Sequence, residues 1–353
     1  MWEQVAEAFE RNFTERDELG AAFAAYHRGE LVVDLWGGTA DPDTGRPWDR
    51  DTIQLMFSGT KGLTAACVLL LVQRGLITLD DPLSRYWPEF GAKGKEYTTI
   101  AEVLSHQARL PGVEAGYADL LDHDAMAARL AAQAPATDVR TGFVYHPITW
   151  GWLLDELVRR VDGRSVGQVF ADEFAKPLEL EVWIGLPEEL HHRVATMVAP
   201  EGVLVEGPNP LWVPGAEKIW NSTEYRSAGL AAVGGYATAR GMAKFYASLL
   251  DPAGVLAPET VELGRREIRR GTEPNWGTPM AYGAGFELQT GDGRMGDDPD
   301  AFGHAGAGGS RHGAWPSRGT TFSYSMNEVR NAPDERPVSL LRALSRGSRA
   351  TGR

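Results

Sequence analysis

The sequence predicts an α/β (α+β) protein in which strands from both ends of the chain complete one sheet and a mainly helical lobe is inserted between them. Three observations carry this reading. Strand-compatible segments lie near the two termini, AAFAAYHR and ELVVDLWGG between 21 and 38, and YGAGFEL, AFGHAG and TTFSYSMN between 282 and 327. The middle of the chain carries apolar residues at helical spacing, as at 153, 154, 157, 158 and 161. At roughly 150 residues per domain, 353 residues suit two domains or one large bilobed unit with a sizeable core. The expected lobes of that single unit (1–353) are 1–60 with 236–353, holding the sheet, and 61–235, mainly helical with loops that wall a site. Small-molecule sites tend to occupy clefts between such lobes.

The elements follow in order. An N-terminal helix leads into a hairpin that turns at Arg28-Gly29, and Asp41-Pro42-Asp43-Thr44-Gly45 is a loop of turn formers. Ile53 to Phe57 is strand-like, and Lys61 to about Gly75 is helical and apolar nearly all round, hence deeply buried. Thr99 and Glu102 form a capping box that opens a short helix carrying Leu104 and His106. Trp150 to Val161 is a helix closed by Gly163, and Ser165 caps the next, through about Phe174. The proline-bearing stretch 176–222 reads as an irregular wall, because Trp212 and Trp220 within it need burial. A helix from Ala239 to Leu250, the C-terminal strands 282–288, 301–306 and 320–327, and a last helix over about 336–346 complete the chain.

Composition excludes several function classes. Forty-eight acidic against 35 basic residues give a net charge of −13, which disfavours nucleic acid and anionic membrane as partners. Cys67 is the one cysteine, so no internal disulfide is possible and a reducing compartment fits. The first twenty residues are polar and acidic, without the apolar core of a signal peptide, and a cytoplasmic location is expected. The apolar run Leu63–Val72 is too short to span a bilayer. His191-His192 are adjacent and no H-E-x-x-H occurs, so no metal and no other cofactor is expected.

The segment Phe57-Ser58-Gly59-Thr60-Lys61-Gly62 carries the chemistry. S-x-x-K places a hydroxyl and an amine one helical turn apart on one face. A serine needs a base within hydrogen-bond reach, and a lysine can serve if burial depresses its pKa. With 14 Ser and six Lys in the chain, about one sequence in four of this composition carries the spacing by chance. Its position between an apolar strand and an apolar helix adds weight. The alternative is Ser58 as an ordinary helix cap with Lys61 solvated in the first turn. Tyr145, taken alone, reads as a core or surface tyrosine ahead of a helix.

Several stretches, in order, resemble the serine β-lactamase and penicillin-binding-protein superfamily, and most the class C-like branch with family VIII carboxylesterases and related acyltransferases. They are ELVVDLWGG, FSGTKG, GLITLDDPLSRYWPEF, VLSHQARLPG, VYHPITWGWLLDELVRRVDGRS and FGHAGAGGS, together spanning about residues 20 to 345. The resemblance implies a β-lactamase/penicillin-binding-protein-like fold with an antiparallel sheet. It also implies that Ser58 is acylated and that Lys61 is its partner. In the second motif, Y-x-N, the aligned triplet is Tyr145-His146-Pro147. Tyr145 would act as general base or acid, and Pro147 removes the amide that would hold the lysine or the substrate carbonyl. His146 is expected to be a supporting or exposed histidine.

The third motif reads His304-Ala305-Gly306-Ala307, where glycine lets the strand approach the substrate. The resemblance implies an oxyanion hole from the backbone N–H groups of Ser58 and Ala307. His304 stands where β-lactamases carry lysine; a largely neutral imidazole points to uncharged esters or thioesters. Arg109 replaces a glycine common in relatives; it either faces the cleft or, as charge on a loop normally does, lies at the surface. Trp212, Trp220 and Tyr225 belong to the stretch that would wall the pocket, through packing or through binding.

The expected protein is therefore a serine hydrolase that forms a Ser58 acyl-enzyme with small carboxylic esters. Its site would comprise Ser58, Lys61 and Tyr145, with His304, Gly306, Trp212 and Trp220 binding substrate. One alternative passes the acyl group to an amine or alcohol in natural-product biosynthesis. Another keeps the fold for binding alone.

Overall fold

The computed structural model describes residues 2–137, 143–204 and 209–350. Its twelve strands are β1 (Gly20–His27), β2 (Glu30–Asp41), β3 (Arg46–Pro47), β4 (Gln54–Leu55), β5 (Val182–Ile184), β6 (Gly235–Ala237), β7 (Arg269–Glu273), β8 (Thr278–Tyr282), β9 (Glu287–Leu288), β10 (Phe302–Ala305), β11 (Arg311–Trp315) and β12 (Thr320–Met326). Nine of them form one antiparallel sheet in the order β3-β2-β1-β12-β11-β10-β9-β8-β7. The chain's first and last strands thus meet at its centre, β1 against β12 with Ala21 opposite Met326 and His27 opposite Thr320. The terminal helices, α1 (Glu3–Glu15) and the long helix Glu335–Ala350, pack together on the sheet. Between the strand groups lie mostly helices and a small sheet, β4-β6-β5.

Local chemistry explains most boundaries. Thr99 and Ser165 each accept a hydrogen bond from the backbone N–H three residues on and are reciprocated by Glu102 and Gln168, two complete capping boxes. Gly163, at φ +86°, ends helix Thr149–Asp162 in the left-handed region that glycine enters without cost. The helix expected to run from Ser165 to about Phe174 instead ends its α-form at Phe170 and continues as a wider π-turn over Ala171–Ala175.

Other expectations require correction. The strand expected over 282–288 is divided: β8 ends at Tyr282, and the chain turns back so that the Gly283 N–H donates to the Phe286 carbonyl. Gly285, at φ +88°, serves the tight turn, whereas a Cβ at Gly283 would lie 2.2 Å from the Gly264 carbonyl oxygen, so that glycine allows a close approach to helix Pro258–Arg265. The irregular stretch 176–222 contains β5 and two short helices, Ala216–Trp220 and Thr223–Ser227, the second running on to residue 227; residues 205–208 lie outside the described residues.

The N- and C-terminal segments are also joined by a buried charge cluster. Arg336, fully buried, donates to Glu18 at 2.7 Å, to Asp334 at 2.9 Å and to the Glu328 carbonyl at 3.1 Å, while the Tyr324 hydroxyl donates to Glu18. Burial pushes the Glu18 carboxyl above its usual range despite the opposing pull of Arg336. Removing one member of such a cluster strands the others without water. Arg336→Met is expected to lower stability by about 3–5 kcal/mol, read as a shifted midpoint in urea unfolding with an unchanged slope.

Candidate active site

Ser58 sits in a single 3₁₀ turn, Phe57–Gly59, that joins β4 to helix α2 (Thr60–Gln73). The turn is held at both ends. The Met56 N–H donates to the Gly235 carbonyl at 2.8 Å, and the Thr60 hydroxyl donates to the Phe57 carbonyl at 2.6 Å while accepting from the Gly235 N–H. Phe57 adopts φ +44°, a conformation that costs a bulky residue about 1–3 kcal/mol and persists only where packing over-determines it. The packing is aromatic: the Phe57 ring stands edge-on to Trp220 at 5.0 Å and to Trp212 at 5.9 Å. Gly59 has no room for a side chain, since a Cβ would meet the His312 ring at 2.6 Å.

Helix α2 is apolar on every face and buried from Thr60 to Leu71. Lys61, in its first turn, is therefore fully buried with no carboxylate within 4.0 Å among the described residues. Its Nζ lies 3.2 Å from Ser58 Oγ, 2.8 Å from the Pro147 carbonyl oxygen and 3.3 Å from the Ala232 carbonyl oxygen. Desolvation holds its pKa well below the ordinary lysine range, with only a weak upward pull from Glu287. A neutral amine satisfies all three contacts: its two N–H bonds go to the carbonyls, and its lone pair faces the Ser58 hydroxyl. The proline that replaces asparagine in the second motif thus still serves the lysine, through its main chain.

Tyr145 donates its phenolic O–H to Ser58 Oγ at 2.9 Å. Burial first, and Glu287 second, raise its pKa above the ordinary tyrosine range, so it remains a proton donor. Two buried histidines support it. The Leu110 N–H donates to His146 Nε2, which fixes the proton on His146 Nδ1 for the Val144 carbonyl. The His146 N–H donates in turn to His106 Nδ1, and the His106 ring lies 4.5 Å from that of Tyr145. Burial draws His146 down to about 4, so both its ring nitrogens do structural work in the neutral form. Glu273, fully buried, accepts the Tyr145 N–H at 3.4 Å and the N–H groups of Asn275 and Trp276, tying the β7–β8 turn to the tyrosine.

The third segment closes the site from the sheet. At Gly306 a Cβ would stand 2.5 Å from the Met56 carbonyl oxygen, so only glycine allows β10 to end against the Ser58 turn. Ala307 follows, and neither its N–H nor that of Ser58 donates to a protein acceptor among the described residues. His304 is buried; its Nδ1 lies 2.7 Å from the Ala305 carbonyl oxygen, and burial lowers its pKa to about 4 against the pull of Glu287. It is neutral at pH 7.

A cavity of about 390 Å³ opens on this group. Ser58, Tyr145, His304, Gly306, Ala307 and Trp212 all border it. Trp220 does not: it is 1% exposed and packs behind Phe57 and Trp212, a correction to its expected place on the pocket wall. Tyr225 is likewise core. Arg109 is exposed with φ +58°, the left-handed conformation that explains why glycine suits this position. The sequence reading missed Glu287, Arg294, Arg311 and Trp276, which also border the cavity. Of these only Trp276 left a local trace, an aromatic in the turn-forming Asn275-Trp276-Gly277.

A family model described as Beta-lactamase matches residues 6–346. The Esterase/beta-lactamase LipL of Mycobacterium tuberculosis is 33% identical over 352 residues, covering 92% of this chain and 81% of the relative. Among solved structures, a penicillin-binding-protein homologue from Caulobacter crescentus superposes with a TM-score of 0.90 at 36% identity, covering 98% of this chain and 97% of that one. A family VIII carboxylesterase does so with a TM-score of 0.90 at 35% identity and the same coverage.

The chain's six lysines make the state of Lys61 measurable. With ¹⁵N-labelled lysine, NMR titration is expected to find the Lys61 amine neutral well below the ordinary range near 10.4, the signal being assigned by its loss in Lys61→Met. Pro147→Asn is expected to leave that titration in place, because the group that holds the amine is a carbonyl.

Proposed function

The chain belongs to the Beta-lactamase family, and on that premise we propose that it is a serine hydrolase of small carboxylic esters, working through a Ser58 acyl-enzyme. The observation that carries this reading is the convergence of Lys61 Nζ and the Tyr145 hydroxyl on one oxygen, Ser58 Oγ, at 3.2 and 2.9 Å. The named relatives, an esterase/β-lactamase and a carboxylesterase, support the same reaction class. The cleft is assigned to the meeting of the lobe 1–60 with 236–353 and the lobe 61–235. A single buried cysteine, Cys67, supports the cytoplasmic placement.

The steps follow from the proton positions. Neutral Lys61 takes the Ser58 proton as Oγ bonds to the acyl carbon. The carbonyl oxygen, now negative, is assigned to the free N–H groups of Ser58 and Ala307. Tyr145, held as a phenol, protonates the departing alkoxide as the ester bond breaks, and Lys61 returns a proton to the phenolate. Water then enters where the alcohol left, gives a proton to this pair and attacks the acyl carbon, releasing the acid and restoring Ser58. An amine or alcohol in place of that water would give acyl transfer by the same route.

Intact-mass measurement after brief exposure to p-nitrophenyl esters tests the proposal, with nitrophenol release followed in the same samples. Wild type is expected to gain the acyl mass or to release nitrophenol catalytically, and Ser58→Ala to do neither. Full turnover by Ser58→Ala would overturn the reading. Tyr145→Phe is expected to lower kcat/KM by about 10²–10⁴-fold.

The pH dependence has a defined sign. Protonated Lys61 cannot accept the serine proton, so kcat/KM for an uncharged ester is expected to rise with pH and reach a plateau well below the usual lysine pKa. No alkaline fall from Tyr145 is expected below about pH 10, because that phenol is shifted upward. A profile of kcat/KM from pH 5 to the alkaline limit of stability measures both.

A further inference from the structure

We propose that the ester taken by this cleft also carries a carboxylate, and that Arg311 is the residue that binds it. The proposal rests on the reading of Ser58 as the acylated nucleophile and names the substrate class of that site. Arg311 opens β11 directly opposite Ala305, one strand across from His304 and Gly306, and borders the same cavity as Ser58 and Tyr145. The residue is partly buried, yet among the described residues its one side-chain hydrogen bond is to the carbonyl of the preceding residue, Ser310, at 2.8 Å. Its Nε is shielded from solvent and has no partner.

The surrounding carboxylates are already committed elsewhere. Glu287 serves Arg294 at 3.3 Å and the Ala305 N–H at 3.0 Å, and lies 3.8 Å from His304 Nδ1. Asp292 pairs with Arg294 at 3.3 Å, and Asp334 with Arg336 at 2.9 Å. Arg330, the remaining guanidinium on the cavity wall, pairs with Glu328 at 2.7 Å. Arg311 alone among these four guanidinium groups forms no ion pair within 4.0 Å among the described residues. Glu287 and Asp334 act on Arg311 only from beyond ion-pair distance, and a partly desolvated cation with no directly paired carboxylate is stabilised by an anionic ligand. Its planar fork matches a carboxylate in two parallel hydrogen bonds. A phosphate dianion would call for a second unpaired cation, and the other guanidinium groups on this wall are paired. The charge that neutral His304 does not supply on β10 is therefore available on the next strand, which revises the expectation of uncharged esters.

The test compares the mono-p-nitrophenyl esters of succinate, glutarate and adipate with neutral esters in which a methyl replaces the carboxylate. Wild type is expected to prefer at least one acid ester by at least about tenfold in kcat/KM, and Arg311→Gln to reduce that ratio at least about tenfold, with partial retention in Arg311→Lys. Binding of the uncleaved esters to Ser58→Ala is measured in parallel, with and without Arg311→Gln. There the acid ester is expected to bind at least about tenfold more weakly when Arg311 is replaced. Inorganic phosphate as competitor separates the two anion classes, and stronger competition by phosphate than by glutarate would overturn the choice of carboxylate. No preference for any acid ester, or the same preference in Arg311→Gln, would overturn the assignment. Retained turnover by Ser58→Ala would refute the hydrolase mechanism alone, since the binding comparison still decides the role of Arg311.

Discussion

Lys61 is buried in the first turn of an apolar helix with two main-chain carbonyls and a serine hydroxyl as its polar neighbours, and much of the structure follows from keeping it there. An ammonium so placed would leave its charge unpaired in a low-dielectric interior, and this burial holds the amine's pKa well below the ordinary lysine range. Both carbonyls come from elements distant in sequence, Pro147 before helix Thr149–Asp162 and Ala232 before β6. The folded chain therefore assembles the setting of this amine; helix α2 alone supplies only a lysine.

The Ser58 hydroxyl depends on a different constraint. Ser58 projects from a turn whose preceding residue, Phe57, lies in an unfavourable backbone region, and the strain is held by Trp212 and Trp220 on one side and by the Met56 and Thr60 hydrogen bonds on the other. One aromatic group thus has two jobs. Trp220 is buttress, fully removed from the cavity, whereas Trp212 covers it and also presents a face to the cleft. A stabilising role and a binding role look alike in sequence, because both require only a large apolar side chain near the site.

Charge is distributed around the cleft by the same logic of burial. Neutral histidines at 106, 146 and 304 order the tyrosine and the β10 strand through hydrogen bonds and ring contacts, contributing no net charge. The carboxylates of Glu273 and Glu287 are spent on backbone N–H groups and Arg294. Among the described residues, the cleft then presents one guanidinium without an ion pair within 4.0 Å, Arg311, beside a serine flanked by a buried amine and a phenol.

Much of this was legible in the residues themselves. The capping box at Thr99, the cap at Ser165, the glycine stop at Gly163 and the apolar helix after Ser58 depend on contacts within a few residues, and such contacts are written locally. The spacing of Ser58 and Lys61 puts them on one face by helix geometry alone. The resemblance to a known family added Tyr145 and the His304–Ala307 segment, which no local pattern singles out. Tertiary structure decided the rest: that the Pro147 main chain replaces an asparagine side chain, that Trp220 lies behind the wall, that 283–286 is a turn between strands, and that Arg311 has no ion pair within 4.0 Å among the described residues. Each of these depends on atoms brought together from across the chain, and a sequence pattern reports spacing along the backbone but not which distant carbonyl, ring or carboxylate arrives within reach.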